Sequence, residues 1–453
     1  MPDVEMKLSG WGRFPMVETV ATRPEKLSAL TGLIREKPGT ALLPRGAGRS
    51  YGDAAVNPVG RTVLMERLNR MLAFDAEAGI LWCESGVTLA DIISTFLPRG
   101  WLPRVIPGTK FVTIGGAIAS DIHGKNNSSA GSFSSCVSSF TILLASGETV
   151  RCSRDDNVSL FWATFGGMGL TGIIIDVQLT LRRVRTSAIR STCIRASSFD
   201  EMFAIFEERE LRNEYTVVWI DAVSIDGSLV PSVLMFGDHA EVENLPPGER
   251  DRPLASNPRP GIPVPFEPPV GLVHPCTQAL FNRFYYRFHA ATSEEHLVPC
   301  DTYFFPLDVA LNWHRVYGRP GFLQYACAFP LVESRVGVKR ILDRCQSAGM
   351  PSSLVVLKKF GHAAGWLSFP IPGYTLAMDF PARPGLLPVL DDLDEIVMEH
   401  GGRVYLAKDA RLRPEVLRKM YPELGAWMKV KAAVDPTTRF ISALSRRLEM
   451  HPR

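Results

Sequence analysis

Residues 107–132 read PGTKFVTIGGAIASDIHGKNNSSAGS. Gly, Ser, Thr and Ala dominate, with one His and two Lys, so the stretch has little with which to build a core of its own. Glycine has no Cβ and lets main chain come close to a neighbour. Successive backbone N–H groups in such a loop form anion-binding concavities. Residues 44–53, PRGAGRSYGD, have the same character. Either loop alone reads better as a tight turn. Each follows an apolar run, at 41–43 and 101–106, and the pair predicts a diphosphate held between them.

The whole chain sets the bounds. At 453 residues it exceeds the size at which one core keeps growing, so two domains are expected. A formal net charge of +3 gives no electrostatic case for nucleic acid. No apolar run is long enough to cross a bilayer, and MPDVEMKLSGWGRF lacks the apolar centre of a signal peptide, which points to the cytoplasm. The eight Cys are scattered with no CxxC pair, and the nine His form no HxxxH pair. Neither a disulfide framework nor a metal site is expected.

Along the chain, Pro24 followed by Leu27, Leu30 and Ile34 at helical spacing predicts a helix over 22–37, ended by Pro38-Gly39. Short strands are expected at 41–43, 63–65 and 80–83. Thr88 with Asp91 reads as a capping box before the apolar face Leu89, Ile92, Ile93 and Phe96. A hairpin follows, 140–144 and 149–152 around Ser146-Gly147. Gly166, Gly167, Gly169 and Gly172 then crowd before a strand with Ile175, Val177, Leu179 and Leu181 at period two. That cluster is either another close approach of backbone to a ligand or a corner between helix and strand.

Around Arg183 the texture changes to alternating strands, at 215–224 and 229–236. Ten prolines between 244 and 275 predict no regular element there. A loop so long is either a mobile cover over a substrate mouth or a surface excursion. Strands are expected at 322–329, 354–360, 375–380 and 403–406, and helices at 333–347, 385–400 and 413–420.

The two loops, with FWATFGGMGLTGII (161–174), GFLQY (321–325), LSFPIPGY (367–374), YLAKDAR (405–411) and SRRLE (445–449), resemble the FAD-dependent oxidoreductases of the vanillyl-alcohol-oxidase superfamily. The likeness is narrowest to the branch that oxidises decaprenylphosphoryl-β-D-ribose at its 2-hydroxyl, the first half of an epimerisation supplying arabinose for cell walls. It runs from LSGWGRFP at 8–15 to the C-terminus. The resemblance implies an α+β fold. A two-subdomain FAD-binding domain would span 1–186, a cap with an antiparallel sheet 187–402, and a returning segment 403–453, with 244–275 as a mobile loop on the cap.

It also implies site residues. For the flavin these are Pro44, Arg45, Gly46, Ala47, Gly48 and Arg49, then Ser50, Tyr51, Gly52, Asp53 and Ala54. From the second loop come Gly108, Thr113, Ile114, Gly115 and Gly116, then Ser120, Asp121, Ile122 and His123, and from further on Ile174 and Tyr405. Glycine backbone would approach the pyrophosphate, Ser50 and Thr113 would add hydroxyls, and Arg45 or Arg49 would add charge. Many relatives bond a His at or beside the first loop to the flavin. Here Arg49 precedes Ser50, and a guanidinium cannot form that bond, so the FAD is expected to be noncovalent.

For catalysis the matching positions are Lys408, as base or fixed charge, with Tyr51 and His123 orienting the sugar or tuning the flavin. Lys125, Gln324 and Lys358 match substrate positions, the lysines as phosphate partners. On sequence alone Tyr51, His123, Lys125, Gln324 and Lys358 are equally satisfied structural polar groups, and Lys408 reads otherwise as a surface lysine paired with a carboxylate. Where actinobacterial members read Asn-Ile-Cys-Val-Asp-Phe, this chain has Thr375-Leu376-Ala377-Met378-Asp379-Phe380. Thr375 and Ala377 therefore replace the pocket Asn and Cys. The implied partners are a polyprenyl-phosphate sugar, a quinone or oxygen as electron acceptor, and an NAD(P)H-dependent keto-reductase, with peripheral contact at the inner membrane. An oxidase of a free sugar, sugar alcohol or aldonolactone uses the same scaffold, and a catalytically idle flavin-binding protein is the third reading.

Overall fold

Part of the small-residue stretch is itself helical. Helix Ile114–Ala119 starts at Thr113, whose hydroxyl accepts from the Gly116 amide at 3.3 Å. Ile114, Ala117 and Ile118 are fully buried. The expectation of a coreless loop is corrected here, because three apolar residues at helical spacing suffice once a cap starts the turn. The stretch is laid along helix Leu89–Phe96, with Leu89 N and Ala90 N donating to Val112 O and Lys110 O. The expected capping box is present, with Thr88 Oγ1 accepting from Asp91 N at 3.1 Å and Asp91 accepting from Thr88 N at 2.9 Å.

The computed structural model describes residues 3–36, 39–256, 261–289 and 294–451. Three sheets carry the fold. The first has strands Val4–Ser9, Met16–Thr22, Arg61–Leu64 and Leu42–Arg45 in that order, the last three parallel. The second runs Met71–Asp75, Ile80–Glu84, Ile173–Arg183, Val137–Leu143 and Thr149–Ser153, with Trp101–Pro103 on the far end of Ile173–Arg183. Strand Arg61–Leu64 ends one residue before the expected 63–65, and Met65 begins a 3₁₀ turn.

The third sheet has eight antiparallel strands: His296–Pro299, Ala188–Ser198, Leu229–His239, Tyr215–Ile220, Leu354–Phe360, Gly373–Pro381, Phe322–Pro330 and Arg403–Val404. Helices Ser334–Ser347 and Leu386–Glu399 pack against it. With helices beside largely antiparallel sheets, the fold class is α+β. The tail then returns. Leu42 N donates to Arg439 O at 2.6 Å, placing Phe440 beside the first sheet. Trp427, on helix Leu424–Val434, is fully buried and donates to Ala163 O at 2.9 Å. Burying one such side chain stabilises by about 1.5–3 kcal/mol.

Several expectations change. Thr22 ends a strand instead of starting a helix, since 20–22 pair with 61–63, and the helix is Leu27–Glu36. Lys37 and Pro38 lie outside the described residues, as do Pro258 and Pro260. The proline-dense segment is not devoid of regular structure. It holds the 3₁₀ turn Pro247–Glu249, a two-residue strand Ile262–Pro263 parallel to Ala310–Leu311, and Pro275 as the first residue of helix Pro275–Phe288. Proline suits a first helical turn, where its missing N–H would have no partner. The strand expected over 403–406 shortens to Arg403–Val404.

Candidate active site

A cavity with about 320 Å³ of space for water centres lies where the loop after Leu42–Arg45, the small-residue stretch and one face of the eight-stranded sheet meet. Pro44 through Tyr51 line it without a break, joined by Ala54. The second loop contributes Gly108, Thr113, Gly115, Gly116, Ser120, Ile122 and His123, and Ile174, Tyr405 and Lys408 close the ring. From the sheet come Gln324, Lys358, Thr375 and Ala377.

Strand register explains the sheet's share. Lys358 pairs with Thr375, Val356 with Ala377, and Ala377 with Ala326. Alternate residues point to one face, so Gln324, Ala326, Val356, Lys358, Thr375 and Ala377 line the cavity. Between them Tyr325, Cys327, Val355, Leu357, Leu376 and Met378 are buried in the core behind. Thr375 keeps its hydroxyl in the sheet, donating to Cys327 O at 2.8 Å.

Five expected site residues stand outside the lining. Gly52 packs on the tail, where a Cβ would sit 1.6 Å from Asp409 O. Ile114 is core. Asp53 takes two contacts from Arg447, at 2.9 and 2.8 Å, and so holds chain to chain. Asp121 is fully buried and accepts from Ser134 N at 2.9 Å and from Ser368 Oγ at 2.5 Å. Lys125 turns away, its ammonium on Tyr303 O and 4.1 Å from that ring's centre. Burial and the charge of Lys358 push Lys125 down to about 7.

Other lining residues were not singled out from sequence: Trp11, Ser85, Met168, Leu354, Val356 and Phe369 among them. Counting back by twos from Lys358 would have found Val356 and Leu354. Trp11 and Asp308 carried no signal, since each reaches the cavity from a distant segment. The third glycine cluster does both things its sequence allowed. It turns a corner into strand Ile173–Arg183, and Gly169 (φ 75°) and Gly172 (φ 152°) line the cavity.

The charges divide sharply. Arg45 is committed to the backbone, donating to Ala55 O at 2.6 Å and Ser9 O at 2.7 Å, so the charge it was expected to lend a phosphate is spent inside the loop. Arg49 lies 4.1 Å over the Trp11 ring, and burial lowers its pKa. Lys408 Nζ sits 3.6 Å from the centre of the Tyr51 ring. Burial, only partly offset by Asp379, brings Lys408 down to about 7. Asp379 is pushed up to about 7 by burial and accepts from Gln324 Nε2 at 2.5 Å. Burial brings Lys358 down to about 8. His123 is held neutral, well below its usual range, by burial and by the nearby charges of Lys358 and Lys408.

Several polar atoms here have no partner among the described residues. Ser50 Oγ, Ser85 Oγ, Arg49 Nε and His123 Nδ1 are buried without a hydrogen bond. The amides of Ala47 to Ser50 donate to no other described residue. Buried groups are normally paired, so these donors suit an anionic, polar ligand running along the loop. A dinucleotide with a diphosphate meets that description, and hydroxyl, amide and guanidinium groups are the donors it needs.

Comparison with known proteins agrees. An FAD binding domain family matches residues 17–153, and a D-arabinono-1,4-lactone oxidase family matches residues 382–448. The chain is 36% identical to a decaprenylphosphoryl-β-D-ribose oxidase of Mycolicibacterium smegmatis over 99% of this chain and 98% of that one. It is also 36% identical to an uncharacterized Streptomyces coelicolor protein over 80% of this chain and all of that one. A D-arabinono-1,4-lactone oxidase of Yarrowia lipolytica is 26% identical over 43% of this chain and 37% of its own. FAD is the cofactor, and the chain belongs to the decaprenylphosphoryl-β-D-ribose oxidase family of FAD-dependent oxidoreductases.

Proposed function

We propose that the protein oxidises the 2-hydroxyl of decaprenylphosphoryl-β-D-ribose, or of a similar polyprenyl-phosphate sugar, to the 2-ketone. In this reading residues 1–186 and 403–453 hold the cofactor and 187–402 cap it. What carries the reading is Lys408 over Tyr51, at the junction of the glycine loop with a sheet face that also bears Lys358 and Gln324.

When bound, FAD supplies the two-electron acceptor for the carbinol carbon. Ser50, Ser85, Thr113 and the amides of the first loop would hold its diphosphate, with Arg49 adding charge. Lys408, whose pKa burial brings down to about 7, takes the hydroxyl proton in the neutral form that is then populated near pH 7. Gln324, fixed by its bond to Asp379, offers its carbonyl oxygen to a ribose hydroxyl. Lys358 meets the phosphate. Neutral His123, with Nδ1 free, orients the sugar or tunes the flavin. Val356, Leu354, Trp313 and Phe369 keep water from the reacting groups.

A quinone or oxygen would close the cycle, and an NAD(P)H-dependent keto-reductase would return the ketone as the arabinose epimer. A lipid-borne substrate implies work at a membrane surface, and no helix among the described residues is long and apolar enough to cross one. The family match over 382–448, which includes Lys408, favours a second reading as an oxidase of a free aldonolactone. Anaerobic mixing separates the two. Bleaching of the flavin absorbance by a prenylphosphoryl ribose, but not by ribose or arabinono-1,4-lactone, is expected; the opposite pattern would replace the first reading with the second.

A further inference from the structure

Helix Pro275–Phe288 is apolar on the side where a surface helix is ordinarily polar. Its inner side is anchored. Gln278 donates to Ser353 O at 2.6 Å, Asn282 donates to Asp221 at 2.6 Å, and the Tyr285 ring lies 4.7 Å from Trp219. With about 100° between successive residues, the opposite side carries Leu280, Phe281, Phe284 and Phe288. These are 73%, 57%, 68% and 71% exposed. Arg283 and Arg287 run along one edge of that stripe, exposed and without an ion pair among the described residues. The segment just before the helix adds Phe266 and Val270, 63% and 77% exposed. All the exposed phenylalanines among the described residues fall in this one region.

Charge and position point to one occupant. Between residues 261 and 289 the only carboxylate is Glu267, and it is paired with Arg13 at 2.9 Å. The free charge beside the stripe is therefore positive. A convex strip of Phe and Leu edged by arginine matches the boundary between headgroups and acyl chains of an anionic bilayer, where arginine stems reach back to phosphates. The inner side of the same helix, and the segment before it, adjoin the cavity. Gln278 holds Ser353, whose neighbour Leu354 lines it, and Leu272 N donates to Val316 O at 2.7 Å on the turn whose Trp313 lines it too.

We infer that this face docks the protein on an anionic lipid surface and so brings the cavity to a membrane-held prenyl phosphate, an inference that rests on the lipid-borne substrate proposed above. The test is flotation of the FAD-loaded full chain with vesicles of phosphatidylcholine alone or mixed with phosphatidylglycerol. The wild-type chain floats with the mixed vesicles. The Phe284→Glu/Phe288→Glu variant loses about tenfold or more of its bound fraction, and Arg283→Ala/Arg287→Ala loses the preference for phosphatidylglycerol. A wild-type chain that stays at the bottom, or a Phe double variant that floats as well as wild type, overturns the inference. So does a double variant that changes only the oligomer size, which would assign the face to a second copy.

Turnover of a short, water-soluble prenylphosphoryl ribose without vesicles is measured on the same proteins and is expected to be equal in all of them. Failed flotation with intact turnover overturns docking alone. Flotation without turnover of any prenylphosphoryl sugar overturns the substrate reading alone.

Discussion

Arg447 Nη2 lies 2.8 Å from Asp409 Oδ2, and the same guanidinium grips Asp53 at 2.9 and 2.8 Å. One side chain from SRRLE thus pins PRGAGRSYGD to AKDAR, the segments that carry Tyr51 and Lys408. Both carboxylates are buried, with side chains 5% and 2% exposed. Removing the cation would leave two like charges facing each other out of water. Arg447→Ala is therefore expected to cost about 3 kcal/mol, read as a lower midpoint in denaturant unfolding, with weaker FAD retention. Arg447→Lys should recover only part, since an ammonium cannot replace the fork on Asp53. An unchanged midpoint in the Ala variant would remove this clamp from the account.

Lys408 carries the next prediction. Lys408→Ala should keep its FAD, seen in the visible spectrum, and lose about 10²-fold or more in turnover. The sign of the pH profile identifies the role. A lysine is a base only when neutral, so with its pKa near 7 the rate should rise with pH through about 7, where it is half-maximal, before levelling off. A fixed positive charge would give the reverse, a rate that falls above 7. Asp379→Asn removes the negative charge that raises the pKa of Lys408, so the rising limb should move to lower pH. A limb that stays in place would assign it to another group.

How much of this was visible in the chain follows from the range of each interaction. The strands at 354–360 and 375–380 were legible from neighbours two residues apart, whereas Lys358 and Ala377 entered only through the resemblance, and the face they share is set by the pairing of the two strands. The capping box at Thr88 is equally local. Asp53 was expected at the flavin through the resemblance, and its partner Arg447, 394 residues away, left no local signal. Lys125 sits two residues from His123, yet its side chain turns to Tyr303, a choice made by packing from helix Cys300–Phe304. The outward stripe of helix Pro275–Phe288 was hidden by the run of prolines before it, which masked a helix that begins on the last of them.

The flavin is expected to leave the protein on acid precipitation and to appear in the supernatant. Arg49 precedes Ser50 in the first loop, where a histidine would be needed for a covalent bond to the flavin, and its guanidinium is stacked 4.1 Å over Trp11. Among the described residues His123 is the one histidine on the cavity wall. Yellow colour that stays with the precipitate would locate a bond, and His123→Ala would then show whether His123 makes it.

Ala377 sets the response to thiol-directed inhibitors. It faces the cavity between Val356 and Ala326, its partners in the sheet, and among the described residues no cysteine lines that wall. The nearest cysteine along the sheet, Cys327, is fully buried and points the other way, and burial holds its thiol well above the usual range. A thiol kept protonated is a poor nucleophile. A compound that works by capturing a pocket thiol should therefore leave the intact mass of this protein unchanged and its turnover only reversibly reduced. Ala377→Cys should restore capture, seen as a mass increase of one inhibitor adduct, without loss of turnover, because oxidation of the carbinol does not need the sulfur. A mass shift in the wild-type chain would mean that a cysteine outside the wall reacts, with exposed Cys276 the first to replace.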